Sequence, residues 1–240
     1  MTSRRALMLA TAGLLATQAA ARAATTTIAL RPGQPRAAIR VRTETLPAGE
    51  AFVIAFSGDG APQDEIRLPT WYGDGRILQA VPVAGREVLL AEFQGNRGTG
   101  VAQKLVAAIG CDDDGALRVL GIETLSFRDA QVSNARRRLD GRIEASARRD
   151  ALLLHHATTG RIGIGPERSE RWTTRLRWTG QGILAAPPTP RDAGEIRRRV
   201  DRARERLRPI LAGASLTDAT RIDYDATGIW SVGDAIEFSG

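Results

Sequence analysis

Over residues 138–148 apolar and polar side chains alternate without a break. Leu139, Gly141, Ile143, Ala145 and Ala147 fall on one side, and Arg138, Asp140, Arg142, Glu144, Ser146 and Arg148 on the other. A repeat of two is the signature of a strand with one buried face. Arg149-Asp150 offers a turn and 151–156 returns. Over 171–179 the pattern recurs, with Trp172, Thr174, Leu176 and Trp178 set against Arg171, Thr173, Arg175 and Arg177. These segments predict an antiparallel meander with one apolar face and one arginine-rich face, which needs a helix or a second sheet on its apolar side.

Upstream, 25–30, 38–43, 51–56 and 75–83 read as further strands, with a short piece from Ile66 to Pro69 between them. Pro69 and Pro82 mark sheet edges or strand ends rather than central strands, because proline cannot donate to a ladder. The stretch 87–124 is the most apolar outside the first twenty residues, and its turn signals cut it into strand-sized pieces. Two readings fit it. Either Gly95 to Gly100 turns one strand into the next, with a second tight turn at Asp114-Gly115, or the glycine loop leads into a helix over 101–109 and its amides cradle a phosphate. The spacing is neither Gly-x-Gly-x-x-Gly nor a P-loop, which favours the hairpin.

Near the end, Thr189-Pro190-Arg191-Asp192 has the form of a capping box. Ile196, Val200, Ala203 and Leu207 follow at helical spacing, predicting an amphipathic helix over about 190–208. Segments 220–224 and 229–232 read as a closing hairpin. The expected fold is therefore mainly β: an antiparallel sandwich or meander with one C-terminal amphipathic helix. It is organised as a β-rich region over 24–128 and a meander plus helix over 129–240, or as one continuous domain.

The first 23 residues are of a different kind. Arg4 and Arg5 precede a short apolar run over 7–15, and Ala21-Arg22-Ala23 supplies a small-x-small cleavage site, the three parts of a secretory signal. The paired arginines followed by Ala-Leu-Met resemble the twin-arginine export signal of bacteria. The resemblance covers the leader alone and implies a periplasmic or secreted protein that crosses the membrane folded. The run is too short for a permanent anchor, and no transmembrane segment is expected after Ala24.

Charge changes this picture little. Removing Arg4, Arg5 and Arg22 with the leader lowers the formal +7 to +4, and Lys104 is the only lysine among 34 basic residues. Such one-sided usage weakens an inference from arginine to nucleic acid, and no aromatic interleaving accompanies the arginines to stack bases. Cys111 is the only cysteine, so an internal disulfide is excluded. It is expected to be a buried structural thiol.

The two histidines, His155 and His156, are adjacent and on a strand point to opposite faces, so they cannot share a metal. The acidic loop at Asp59, Asp64 and Glu65 lacks the spacing of a calcium loop. No metal and no cofactor is expected. Three features carry candidate chemistry. Glu92 and Glu123 interrupt apolar strands, where burial raises a carboxyl toward general-acid use, as a glycosidase-like hydrolase requires. Arg138, Arg142, Arg148, Arg171, Arg175 and Arg177 suit carboxylate or phosphate groups. Trp71 and Tyr72, the only adjacent aromatic pair, suit stacking on sugars or peptides. The leading expectation is a non-enzymatic binding or interaction module of the cell envelope, with an anionic polymer or another periplasmic protein as partner and no nucleic acid. The second is an envelope hydrolase acting through Glu92 and Glu123.

Overall fold

A computed structural model describes residues 27–30, 33, 35–47, 49–58, 64–98, 101–129, 136–161, 166–179, 182–213 and 216–232. Residues 1–23, expected to be a leader, lie outside them. Among the described residues twelve strands form two antiparallel sheets, in keeping with the mainly β expectation. The smaller sheet takes β1 (Thr27–Ile28), β2 (Ala37–Leu46), β3 (Gly49–Ser57) and β4 (Asp64–Thr70) in that order. The larger runs in sequence order through β5 (Gly75–Val83), β6 (Arg86–Gly98), β7 (Val101–Cys111), β8 (Leu117–Asp129), β9 (Arg136–Ala145), β10 (Ala151–Arg161), β11 (Arg168–Trp178) and β12 (Leu184–Ala185). Pro69 on β4 and Pro82 on β5 both lie on edge strands, where a missing N–H costs no ladder bond.

The apolar stretch becomes the centre of the larger sheet. Residues 101–111 are a strand whose Val101 faces Gly98 of β6, so the glycine loop makes a hairpin and the strand-to-helix reading is overturned. Thr99 and Gly100 lie outside the described residues. The next hairpin turns at Asp112, whose side chain accepts the amides of Asp114 (3.1 Å) and Ala116 (2.9 Å), while Gly115 takes φ +78°. Strand β8 runs on to Asp129, so the expected division between 128 and 129 falls at the end of a strand. Arg148 was expected on a strand face and lies in the β9–β10 turn.

Strands β6 to β8 are long and apolar because both of their faces are covered. One face packs on the smaller sheet: Leu89, Phe93, Leu105, Ala107 and Val119 join Phe52, Ile54, Phe56, Ile66 and Leu68 in one core. On the other face, Val88, Leu90, Val106 and Leu120 join Ile143, Leu152, Leu154 and Leu176 from β9 to β11 in a second, aliphatic core. The eight-stranded sheet therefore folds back on itself, and the N–H of Ala84 donates to the carbonyl of Arg149 at 2.7 Å across the closed side.

The fold-back has a split. β8 and β9 pair only through Phe127–Leu139, Arg128–Arg138 and Asp129–Arg137, across the position of the expected domain boundary. Along the rest of β8 the helix α1 (Glu195–Gly213) packs instead, burying Val200, Ala203, Leu207 and Leu211. The helix begins later than the capping box implied and ends later too. Residues 190–193 form a turn, with the N–H of Ala193 donating to Pro190, and Gly194 stands at the cap, its carbonyl accepting Arg198 N–H at 3.0 Å. Gly194 lies against the Glu170 carboxylate, which a side chain at 194 would push aside. Pro209 lies inside the helix, which continues because Leu211 remains buried beyond it.

The tail is not a hairpin. Asp218 caps a 3-10 turn (Ala219–Arg221). Asp223 caps the short helix α2 (Tyr224–Thr227), accepting Ala226 N–H at 2.8 Å, and Gly228 closes it at φ +75°. Side-chain caps at two aspartates outcompete the ladder that the apolar residues suggested.

Candidate functional site

The two strand carboxylates are held apart and neutralised. Glu92, Val106 and Glu123 stand in one cross-strand row, so the carboxylates are separated by two strand spacings, roughly 10 Å along the sheet. Glu92 is bound by Arg76 (3.1 and 3.2 Å) and Lys104 (2.9 Å). Burial pushes its carboxyl up, but these cations outweigh burial and hold it below its ordinary value. Glu123 faces α1 and accepts from Arg204 side-on, at 2.6 and 2.9 Å, while Arg204 also donates to Asp201 at 2.5 Å. All three residues are buried. Burial pushes the Glu123 carboxyl up against the pull of Arg204, and the two carboxylates keep the Arg204 guanidinium charged. Neither glutamate lines either of the clefts found among the described residues.

Trp71 and Tyr72 form the crossing from β4 to β5, and both are exposed. Trp71 meets Trp230 edge-on at 6.1 Å, and Trp230 stacks on buried Tyr224 at 5.1 Å. Tyr72 sits at φ +65°, a left-handed conformation disfavoured for an aromatic residue.

The arginine face forms as the alternation implied. Arg138, Arg142, Arg171, Arg175 and Arg177 project from the same side of β9 and β11. Acids take up much of its charge. Arg138 pairs with Asp140 (2.5 Å), Arg142 with Glu144 (2.8 Å) and Arg175 with Asp150 (2.6 Å). His155 also meets Glu144 at 3.1 Å. Hydrogen bonds from Ser146 and then Arg175 hold the Asp150 carboxyl down at about 2. Arg171 and Arg177 make no ion pair among the described residues.

At one end of strands β8 to β11 the opposite face carries charge instead of apolar side chains. Asp129, Arg137, Gly160 and Arg168 stand in a single row across β8 to β11. Glycine in the third position leaves a notch between the two arginines. The next row inward carries Thr158 and Glu170, and the one beyond it His156 and Trp172. The segment leading into α1 lies over this end, pinned where Gly194 meets Glu170. Beside that contact a cleft of about 610 Å³ opens. Arg137, Thr158, Gly160, Arg168 and Glu170 line its strand wall, and Asp192, Glu195 and Ile196 its helical wall. A second cleft of about 280 Å³ adjoins it, sharing Arg137 and Gly160 and adding Arg128, Arg138 and Glu167.

Beneath the cleft a chain of charges runs inward. Glu170 and Asp201 each lie 3.8 Å from Arg197, and Asp201 continues to Arg204 and Glu123. His156 and Trp172 sit beside it, ring centroids 4.8 Å apart. His156 Nε2 donates to the Thr124 carbonyl at 2.9 Å, since a carbonyl only accepts. Its Nδ1 is therefore an acceptor, and it has no hydrogen-bond partner. Trp172 Nε1 is likewise buried without one. Burial, with Arg204 and His155 adding like-charge repulsion, lowers the His156 pKa to about 4, so the ring is neutral. Gly141 makes room for this histidine, because a side chain there would strike the Leu125 carbonyl and the imidazole.

None of Arg137, Arg168, Glu170 and Asp192 stood out as a candidate in the sequence. The signal was present all the same. Continuing the strand alternation outward puts Arg137 on the side of Leu139, and Arg168 and Glu170 on the side of Trp172, so three charges fall on apolar faces. The chain matches no protein-family model, no curated protein and no solved structure.

Proposed function

We propose that this protein is an exported, non-catalytic binding module of the bacterial cell envelope, which holds an anionic group of its ligand in the cleft between β9–β11 and the start of α1. The observation that carries this reading is the row Arg137–Gly160–Arg168. Two guanidinium groups flank a position without a side chain, on the strand wall of a 610 Å³ cleft. Guanidinium groups bind carboxylate and phosphate through paired N–H donors, and the volume is that of a small-molecule site. Arg168 makes no ion pair among the described residues, so it requires no prior release. Three of the five arginines of the outer face are already paired with acids, and none of the five lines the 610 Å³ cleft. Glu92 and Glu123 are each locked to cations, which leaves the hydrolase reading without a supporting geometry. Export rests on the leader.

Thermal unfolding of the mature chain in increasing sodium phosphate or sodium citrate, at constant ionic strength, tests this reading. A saturable rise in Tm is expected, lost in Arg168→Ala and kept in Arg142→Ala. Loss in Arg142→Ala with retention in Arg168→Ala would move the site to the outer face and overturn it. Replacing Arg4 and Arg5 with Lys is expected to leave the precursor in the cytoplasm.

A further inference from the structure

The cleft has two walls of opposite charge, and each wall offers one group with no ion pair among the described residues. On the strand wall it is Arg168, the first residue of β11, standing across the Gly160 notch from Arg137. On the helical wall it is Asp192, in the turn before α1. The other acids at the cleft are engaged: Glu195 with Arg199 at 3.1 Å, and Glu170 with Arg197 at 3.8 Å. A ligand carrying only a negative charge would meet the arginine row with one end and Asp192 with the other, and like charge there costs binding. A ligand carrying only a positive charge would face the reverse. A molecule with a carboxylate at one end and an ammonium at the other satisfies both walls.

Building on the anion-binding reading above, we infer that the cleft selects a dipolar ligand, a short peptide with free termini, its carboxylate at Arg137–Gly160–Arg168 and its ammonium at Asp192. The volume suits a chain of two or three residues better than a polymer. Thr158 and Ile196 supply a hydroxyl and an apolar surface between the charged ends. Selectivity arises from repulsion as well as attraction: blocking either terminus leaves one wall charge desolvated without a partner.

The test is calorimetric titration of the mature protein with alanyl-alanine, its N-acetyl form and its C-terminal amide, at pH 7. The expected result is binding of the free dipeptide at least tenfold tighter than of either blocked form. Asp192→Asn is expected to erase the preference for the free over the acetylated peptide, and Arg168→Ala the preference for the free over the amidated one. Both residues are exposed, and an unchanged Tm in each variant separates loss of binding from loss of fold. If the acetylated peptide binds as tightly as the free one, the dipolar inference is overturned while anion binding stands. If neither the peptides nor phosphate registers, the anion-binding reading falls with it.

Discussion

The cluster under the middle of α1 and the cleft at its start are built from the same residue types, arginines of one element facing acids of another. In the cluster, Arg204 is bidentate to Glu123 and also bound to Asp201, and all three are buried. At the cleft, Arg168 and Asp192 stand on opposite walls and pair with nothing among the described residues. Depth in the fold separates the two. Charges placed where water is excluded must be matched within the chain, whereas charges at a mouth that water reaches can remain unmatched until a solute arrives. The first arrangement holds the helix to the sheet, and the second is free to discriminate among ligands.

The sharpest way to break the contrast is Arg204→Ala. It strands Glu123 and Asp201 in a dry site and is expected to destabilise the protein by about 3–5 kcal/mol in urea titrations. Replacing Glu123, Asp201 and Arg204 together with Leu, Leu and Met is expected to recover most of that loss, because apolar replacement of a whole buried ion cluster is often close to neutral.

A smaller effect comes from pH. The unfolded chain protonates His156 near 6.5 and the folded chain near 4. Stability is therefore full above about pH 6.5 and declines as pH falls through that window, by on the order of 3 kcal/mol at its lower end. Denaturation curves at pH 7, 5.5 and 4.5 should show it, and His156→Gln should flatten the slope. Gly141→Ala forces a methyl group against the Leu125 carbonyl and His156, and a loss of about 1–3 kcal/mol is expected. Arg67→Ala, in the half-buried ion-pair group with Glu44 of β2 and Glu65 of β4, should cost about 1 kcal/mol or less. Arg168→Ala is expected to leave the unfolding midpoint where it was while abolishing anion binding. An Arg168→Ala variant as damaging as Arg204→Ala would erase the distinction between the two regions.

The strands of this protein were legible because alternation and its absence both have physical causes. One-sided burial wrote the pattern into β9 to β11, and two-sided burial wrote continuous apolar runs into β6 to β8. Pro69 and Pro82 marked edges correctly for the same kind of reason. The start of α1 was misread because Thr189-Pro190-Arg191-Asp192 satisfies a local rule, while those residues close a separate turn and the first bond of the helix runs from Arg198 N–H to the Gly194 carbonyl. The tail was misread because two aspartate caps left a weaker mark than its apolar residues did. As for the cleft, its strand wall was written as misplaced charges at Arg137, Arg168 and Glu170. Its helical wall was not legible, since nothing local places Asp192 opposite them.

Glu123 precedes Arg204 by 81 residues. At ordinary translation speeds of about 5–20 residues per second, β8 waits roughly 4–16 s for the guanidinium that neutralises it. Until then the split beside β8 has no helix to close it, and the inner strands lack part of their cover. The sheet is thus assembled against its direction of synthesis: its middle is made early and becomes secure only when α1 has followed it.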